Sequence, residues 1–90
     1  MSGLLIQFGT TSQVFHRAFT AGRVGADLLI ADEYASPQHV QFTPDGDGWV
    51  AADLGSMNGM WVNGERAYKH RLAKGDRVRV GRTTMTVVPL

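Results

Sequence analysis

The 90 residues contain no cysteine. Disulfides, thiolate-ligated zinc, iron–sulfur clusters and thiol catalysis are therefore excluded. Small secreted domains usually depend on disulfide staples, so the absence points to a reducing, cytoplasmic setting. No apolar run approaches the ~20 residues that span a bilayer. The N-terminus has no basic stretch ahead of Leu4-Leu-Ile6 and does not read as a signal peptide. Charge is also scarce: 19% of residues are charged, against about 25% in an average domain. The formal net charge of +1 excludes a polybasic or strongly acidic tail. Proline is limited to three positions, Pro37, Pro44 and Pro89.

Glycine is present in excess, at 11 of 90 residues with no tract that collects them. Evenly spread glycine means many turns and short elements, and helix interiors avoid it. The length is that of one domain, here 1–90. The Met1 start suits either a whole protein or the first module of a longer one. The charge is uneven. Residues 27–53 carry six carboxylates and no base, whereas 65–82 carry seven bases against Glu65 and Asp76.

The apolar pattern is that of short strands. Leu4–Phe8, Gln13–Phe19, Asp27–Ile30, His39–Thr43, Trp49–Asp53, Arg77–Val80 and Thr84–Val88 each read as one strand. Pro44–Gly48 and Gly81–Thr83 read as hairpin connections, and Asn63-Gly64 is the strongest turn signal because both residues tolerate φ > 0. Residues 66–73 have room for one helical turn at most. This is an all-β sandwich or barrel. Trp49, Trp61, Tyr34 and Phe42 are assigned to its core.

Catalytic patterns are weak. Asp32, Ser36 and His39 lie in one loop and lack the elbow that presents a nucleophilic serine. Asp45-Gly-Asp-Gly48 is a fragment of a calcium loop, but its twelfth position is Ser56 rather than a bidentate Glu. No phosphate-cradling glycine motif occurs. The basic 65–82 stretch is tempting for nucleic acid. However, Arg77 and Arg79 alternate with Val78 and Val80, as on the solvent face of a half-buried strand. No enzyme activity, metal, cofactor or nucleic-acid partner is expected. Arg23, Ser36 and Asn58 fall in three separate loops. They combine a bidentate cation, a hydroxyl and an amide, which suits a phosphate on an extended peptide.

The order Gly22-Arg23, Asp27–Ile30, Ser36-x-x-His39, Trp49, Asp53-Leu-Gly-Ser-x-Asn-Gly59, Val62-Asn-Gly64, Leu72-x-x-Gly-Asp76 and Val80-Gly81 resembles a forkhead-associated (FHA) domain over nearly the whole chain. The resemblance implies an eleven-stranded β-sandwich with ligand loops at one end. It implies binding, without catalysis, of a protein phosphorylated on threonine by a serine/threonine kinase. On that resemblance Arg23 and Ser36 hold the phosphate and Asn58 holds the peptide backbone. Gly22 and Gly59 permit tight turns, and His39 buttresses the Ser36 loop.

Two positions depart from the family pattern. Pro37 has no N–H, and Met57 has no side-chain donor, where many members carry donors. A phospho-independent interaction or oligomerisation module is therefore the alternative. Lys69 or Arg71 would be a compensating base, and the acidic 27–53 segment would favour basic residues beside the phosphosite.

Overall fold

A computed structural model describes residues 2–90. It contains eleven strands: β1 (Leu4–Phe8), β2 (Thr11–Phe15), β3 (Phe19–Gly22), β4 (Leu28–Leu29), β5 (Val40–Asp45), β6 (Gly48–Asp53), β7 (Met60–Val62), β8 (Glu65–Ala67), β9 (Lys69–Arg71), β10 (Asp76–Val80) and β11 (Thr83–Pro89). They form a six-stranded sheet, β2-β1-β11-β10-β7-β8, and a five-stranded sheet, β4-β3-β5-β6-β9. Among the described residues no helix is long and apolar enough to cross a membrane.

Alternation along the strands builds the core. Leu4, Ile6, Met60, Val62, Val78, Val80, Met85 and Val87 point inward from the first sheet. Phe19, Ala21, Val40, Phe42, Trp49 and Ala51 meet them from the second. Register is specified because a one-residue slip would move these side chains to water. The Asn63-Gly64 turn has φ of 51° and 86° at its two central residues, the geometry whose twist matches a hairpin.

Two expectations are corrected, and a third, for residues 66–73, is made definite. Residues 13–19 are not one strand. β2 ends at Phe15 in the six-stranded sheet and β3 begins at Phe19 in the other. The alternation persists across the crossing because both strands present phenylalanine to one core. Residues 66–73 hold no helical turn; they carry the ends of β8, the whole of β9 and a single residue, Tyr68, where the chain changes sheet. Trp49 and Phe42 are buried, but Tyr34 and Trp61 are not core residues. Trp61 pairs with Arg79 and Arg66 on the outer sheet face, and Tyr34 lies in a loop.

The end of the sandwich that holds the Asn63-Gly64 turn is closed by a buried carboxylate. Asp76 accepts hydrogen bonds from the Ala73 N–H at 2.8 Å, Asn63 Nδ2 at 2.9 Å and His70 Nε2 at 3.0 Å. Asn63 Oδ1 in turn accepts from the Arg77 N–H at 2.9 Å. Burial alone would raise the Asp76 carboxyl, but the hydrogen bonds from Ala73, Asn63 and His70 outweigh it and hold it below the ordinary 3.8. A carboxyl lowered by folding stabilises the fold above its unfolded value, and that contribution is lost as pH falls through the folded value. Wild-type stability should therefore fall as the solution is acidified below 3.8. Asp76→Asn should be less stable at pH 7 and show a shallower acid-induced loss. Urea unfolding of both proteins across pH 3–7 checks this, and parallel curves would refute it.

Candidate functional site

Four connections meet at the opposite end of the sandwich: residues 23–27 after β3, 30–39 before β5, 54–59 before β7, and the Gly81-Arg82 turn of the last hairpin. They do not lie side by side as independent loops. Hydrogen bonds between them build one surface.

Gly22 ends β3 against the 30–39 connection. The Arg23 N–H donates to Ser36 O at 3.0 Å and the Val24 N–H to Pro37 O at 3.1 Å. A Cβ on Gly22 would overlap the Pro37 carbonyl oxygen. Glycine is required there by close approach of two backbones. Arg23 is exposed, and its Nε donates to Ala35 O at 3.1 Å. That bond fixes the root of the guanidinium and leaves both terminal nitrogens for a ligand. Among the described residues no carboxylate lies within ion-pair distance of Arg23.

His39 joins two of the connections. It is completely buried, and both ring nitrogens are used. Nδ1 accepts the Ser36 N–H at 3.0 Å, and Nε2 lies 2.8 Å from Gly59 O. An N–H facing Nδ1 requires the lone pair there, so the proton resides on Nε2 and is donated to Gly59 O. Gly59 itself has φ of 83° and donates its N–H to Ser56 Oγ at 2.9 Å. Asp53 Oδ1 accepts the Ser56 N–H at 3.3 Å, which folds the loop on itself.

Ser36 and Asn58 complete the surface. Ser36 Oγ accepts the Met57 N–H at 3.1 Å. With an acceptor site filled, the hydroxyl proton remains for an outside oxygen. Asn58 Nδ2 donates to Tyr34 O at 2.8 Å, and its Oδ1 has no partner among the described residues. Pro37 is exposed and supplies only its carbonyl, already used by Val24. The Met57 side chain is 88% exposed and its N–H is spent on Ser36. The structure thus brings Gly22, Arg23, Ser36, Pro37, His39, Met57, Asn58 and Gly59 into one hydrogen-bonded group.

Arg71 is not beside it. It pairs with Asp45 and Asp47, both at 3.3 Å, at the remote β5–β6 turn. Lys69 lines a hollow with Thr43, Pro44 and Val50 on the outer side of the five-stranded sheet. The acidic segment is dispersed too. Asp27 is tied to Thr20, Asp45 and Asp47 are remote, and Asp53 serves the loop backbone.

Asp32 has a role that the sequence pattern did not expose. It accepts the Tyr34 N–H at 2.9 Å, the Arg82 N–H at 2.7 Å and the Thr83 hydroxyl at 2.8 Å. Burial pushes this carboxyl up, but the Thr83 hydroxyl and the N–H groups of Tyr34, Arg82 and Thr83 prevail and hold it low. Asp32 thereby fastens the Gly81-Arg82 turn to the Ser36 loop. The available signal was an Asp two residues before a loop N–H, an Asx-turn spacing common to many loops.

A two-sheet scaffold with polar loops fastened together at one end is an arrangement that commonly carries binding residues. The FHA domain family model matches residues 19–81, and the chain belongs to the FHA domain family. Its relatives include the FHA domain-containing protein FhaB of Mycolicibacterium smegmatis, 33% identical over 85 residues, which cover 90% of this chain and 54% of FhaB. The glycogen accumulation regulator GarA of the same organism is 36% identical over 64 residues, covering 70% of this chain and 40% of GarA. The chain spans about half or less of the length of these curated relatives. An FHA domain solved in a study of phosphothreonine-dependent FHA domain interactions superposes with a TM-score of 0.90 at 27% identity, covering 98% of this chain and 99% of that one. The FhaA FHA domain, solved in complex with the intracellular domain of a second protein, gives 0.83 at 27% identity, with 93% and 98% covered.

Proposed function

We propose that this chain reads phosphothreonine in an extended peptide, in proteins marked by a serine/threonine kinase. One observation carries the reading. Arg23 and Ser36, from different connections, sit on one fastened surface with two guanidinium nitrogens and one hydroxyl proton unspent. A phosphate offers acceptor oxygens to such donors and a charge that strengthens each bond. Asn58 has its Oδ1 available for a peptide N–H beside the phosphate. The similarity to a phosphothreonine-dependent FHA domain supports the same chemistry.

A second reading, phospho-independent association, is favoured by Met57. Its exposed apolar side chain lies where a donor would aid phosphate binding, and its N–H is already engaged. Titration with matched threonine-phosphorylated and unphosphorylated peptides separates the two. Under the first reading the phosphorylated peptide binds about a hundredfold more tightly, the worth of two charge-assisted bonds at the low end. Equal affinity for the pair would establish the second reading.

A further inference from the structure

The outer face of the six-stranded sheet carries a feature that phosphate binding does not use. Along β10, Val78 and Val80 point into the core and Arg77 and Arg79 point out. Across from Arg79 stands Trp61 of β7. Two hollows lie on this face. One, of about 300 Å³, is bounded by Arg77, Arg79, Trp61, Asn63 and Thr84. The other, of about 270 Å³, is bounded by Arg79, Trp61, Arg82, Tyr34 and Asn58. They adjoin at Arg79 and Trp61 and are taken together as one trough. It starts at Asn58 and Arg82 in the ligand loops and runs down the sheet to Arg77 and the Asn63-Gly64 turn.

The trough is lined by three arginines and no carboxylate. Among the described residues the ion pairs involve only His70 and Arg71 as bases, so Arg77, Arg79 and Arg82 have no carboxylate partner. Two of the three are held in place. The Arg82 guanidinium lies 4.1 Å from the Tyr34 ring centre, and that of Arg79 lies 5.0 Å from the Trp61 ring centre. Arg79 Nη1 also donates to Gly81 O at 3.0 Å. A guanidinium stacked on a ring keeps its in-plane donors directed sideways.

We propose that this trough binds an acidic stretch of extended chain in the same partner that carries the phosphothreonine. This rests on the phosphothreonine reading above. Arg77 and Arg79 are two residues apart on one strand, roughly 7 Å. That is also the repeat between alternate side chains of an extended peptide, so successive acidic residues on one side of such a peptide meet successive arginines. Continuity with Asn58 lets one peptide reach both surfaces. Single-stranded nucleic acid fits less well, because base stacking needs open aromatic faces and Arg79 and Arg82 cover those of Trp61 and Tyr34.

The test uses the 90-residue chain and phosphothreonine peptides with four aspartates on one side, four on the other, or none. Each peptide is also made unphosphorylated. At about 0.1 M salt, one of the two acidic phosphopeptides should bind about tenfold more tightly than the neutral one, the sum of a few partly exposed ion pairs. R77Q with R79Q should abolish that gain, K74Q, at an exposed lysine between β9 and β10 that borders neither hollow, should keep it, and R23A should leave the ratio between acidic and neutral peptides intact. Thermal midpoints confirm that the variants fold. Phosphate dependence with no gain from either acidic placement would overturn the trough and leave the phosphothreonine reading standing. A gain that survives in the double variant would also overturn it. An acidic preference lost in the double variant but indifferent to phosphate would support the trough and sink the phosphothreonine reading. A short oligonucleotide that displaces the acidic peptide and depends on Arg77 and Arg79 would reassign the face to nucleic acid.

Discussion

Arg23→Ala should weaken binding of a threonine-phosphorylated peptide by about a hundredfold and leave the unphosphorylated peptide unaffected. The size follows from the geometry. Nε is committed to Ala35 O, so the two terminal nitrogens face outward as a fork, and a fork makes two charge-assisted bonds to a phosphate. Each such bond contributes about 1.5–3 kcal/mol, and solvent at this exposed position keeps the sum near the lower limit. Arg23→Lys retains the charge but loses both the fork and the tie to Ala35. It should fall between the two, about tenfold down, because an ammonium binds phosphate as a point charge. Stability should change by only about 1 kcal/mol, the worth of one part-buried hydrogen bond. Calorimetric titration alongside urea unfolding reads both quantities. Loss of phosphopeptide affinity accompanied by loss of fold would refute a binding role for Arg23.

His39→Leu acts on stability first. The substitution leaves the Ser36 N–H and the Gly59 carbonyl without the partners they have at 3.0 and 2.8 Å. An orphaned buried polar group costs about 1–3 kcal/mol, so the pair should cost about 3 kcal/mol with Ser36 only part-buried. In a domain of this size that lowers the melting temperature by roughly 12–24 °C. His39→Gln offers one donor and one acceptor and should lose less. Both variants should also bind phosphopeptide more weakly, since His39 spaces the Ser36 loop from the Gly59 turn. Scanning calorimetry checks the order wild type, Gln, Leu. A melting temperature unchanged in His39→Leu would show that water replaces the ring without loss.

Much of this fold was legible because its signals are local. The Asn63-Gly64 hairpin, the Arg77–Val80 and Thr84–Val88 pair and the buried Trp49 follow from turn chemistry and alternation. The break between β2 and β3 was not legible. A change of sheet at residues 16–18 does not disturb the alternation that marks a strand. β9 was hidden because Lys69-His-Arg71 is polar and short, and its pairing to Val50–Ala52 is set by the partner strand. In the site, the residues themselves could be singled out from loop position and resemblance. Their fastening could not, since Asp32 meets Arg82 across 50 residues and Met57 meets Ser36 across 21. Tyr34 and Trp61 were misplaced for a related reason. An aromatic at a strand or loop position looks like core until an arginine is seen to cover it.

The hydrogen bonds between the connections also bear on time. Arg23 to Ala35, Met57 to Ser36 and Asn58 to Tyr34 are all bonds that the chain makes with itself. A surface braced by its own hydrogen bonds asks little further ordering of itself when a ligand arrives. Differences in affinity between ligands of one interface reside mainly in the rate of departure. Under the phosphothreonine reading, the few direct contacts available here, with Pro37 and Met57 contributing none to the phosphate, predict a short residence time. On that reading a phosphothreonine released often would stay within reach of a phosphatase, and a sparse site on a braced frame would report the current state of a mark rather than protect it.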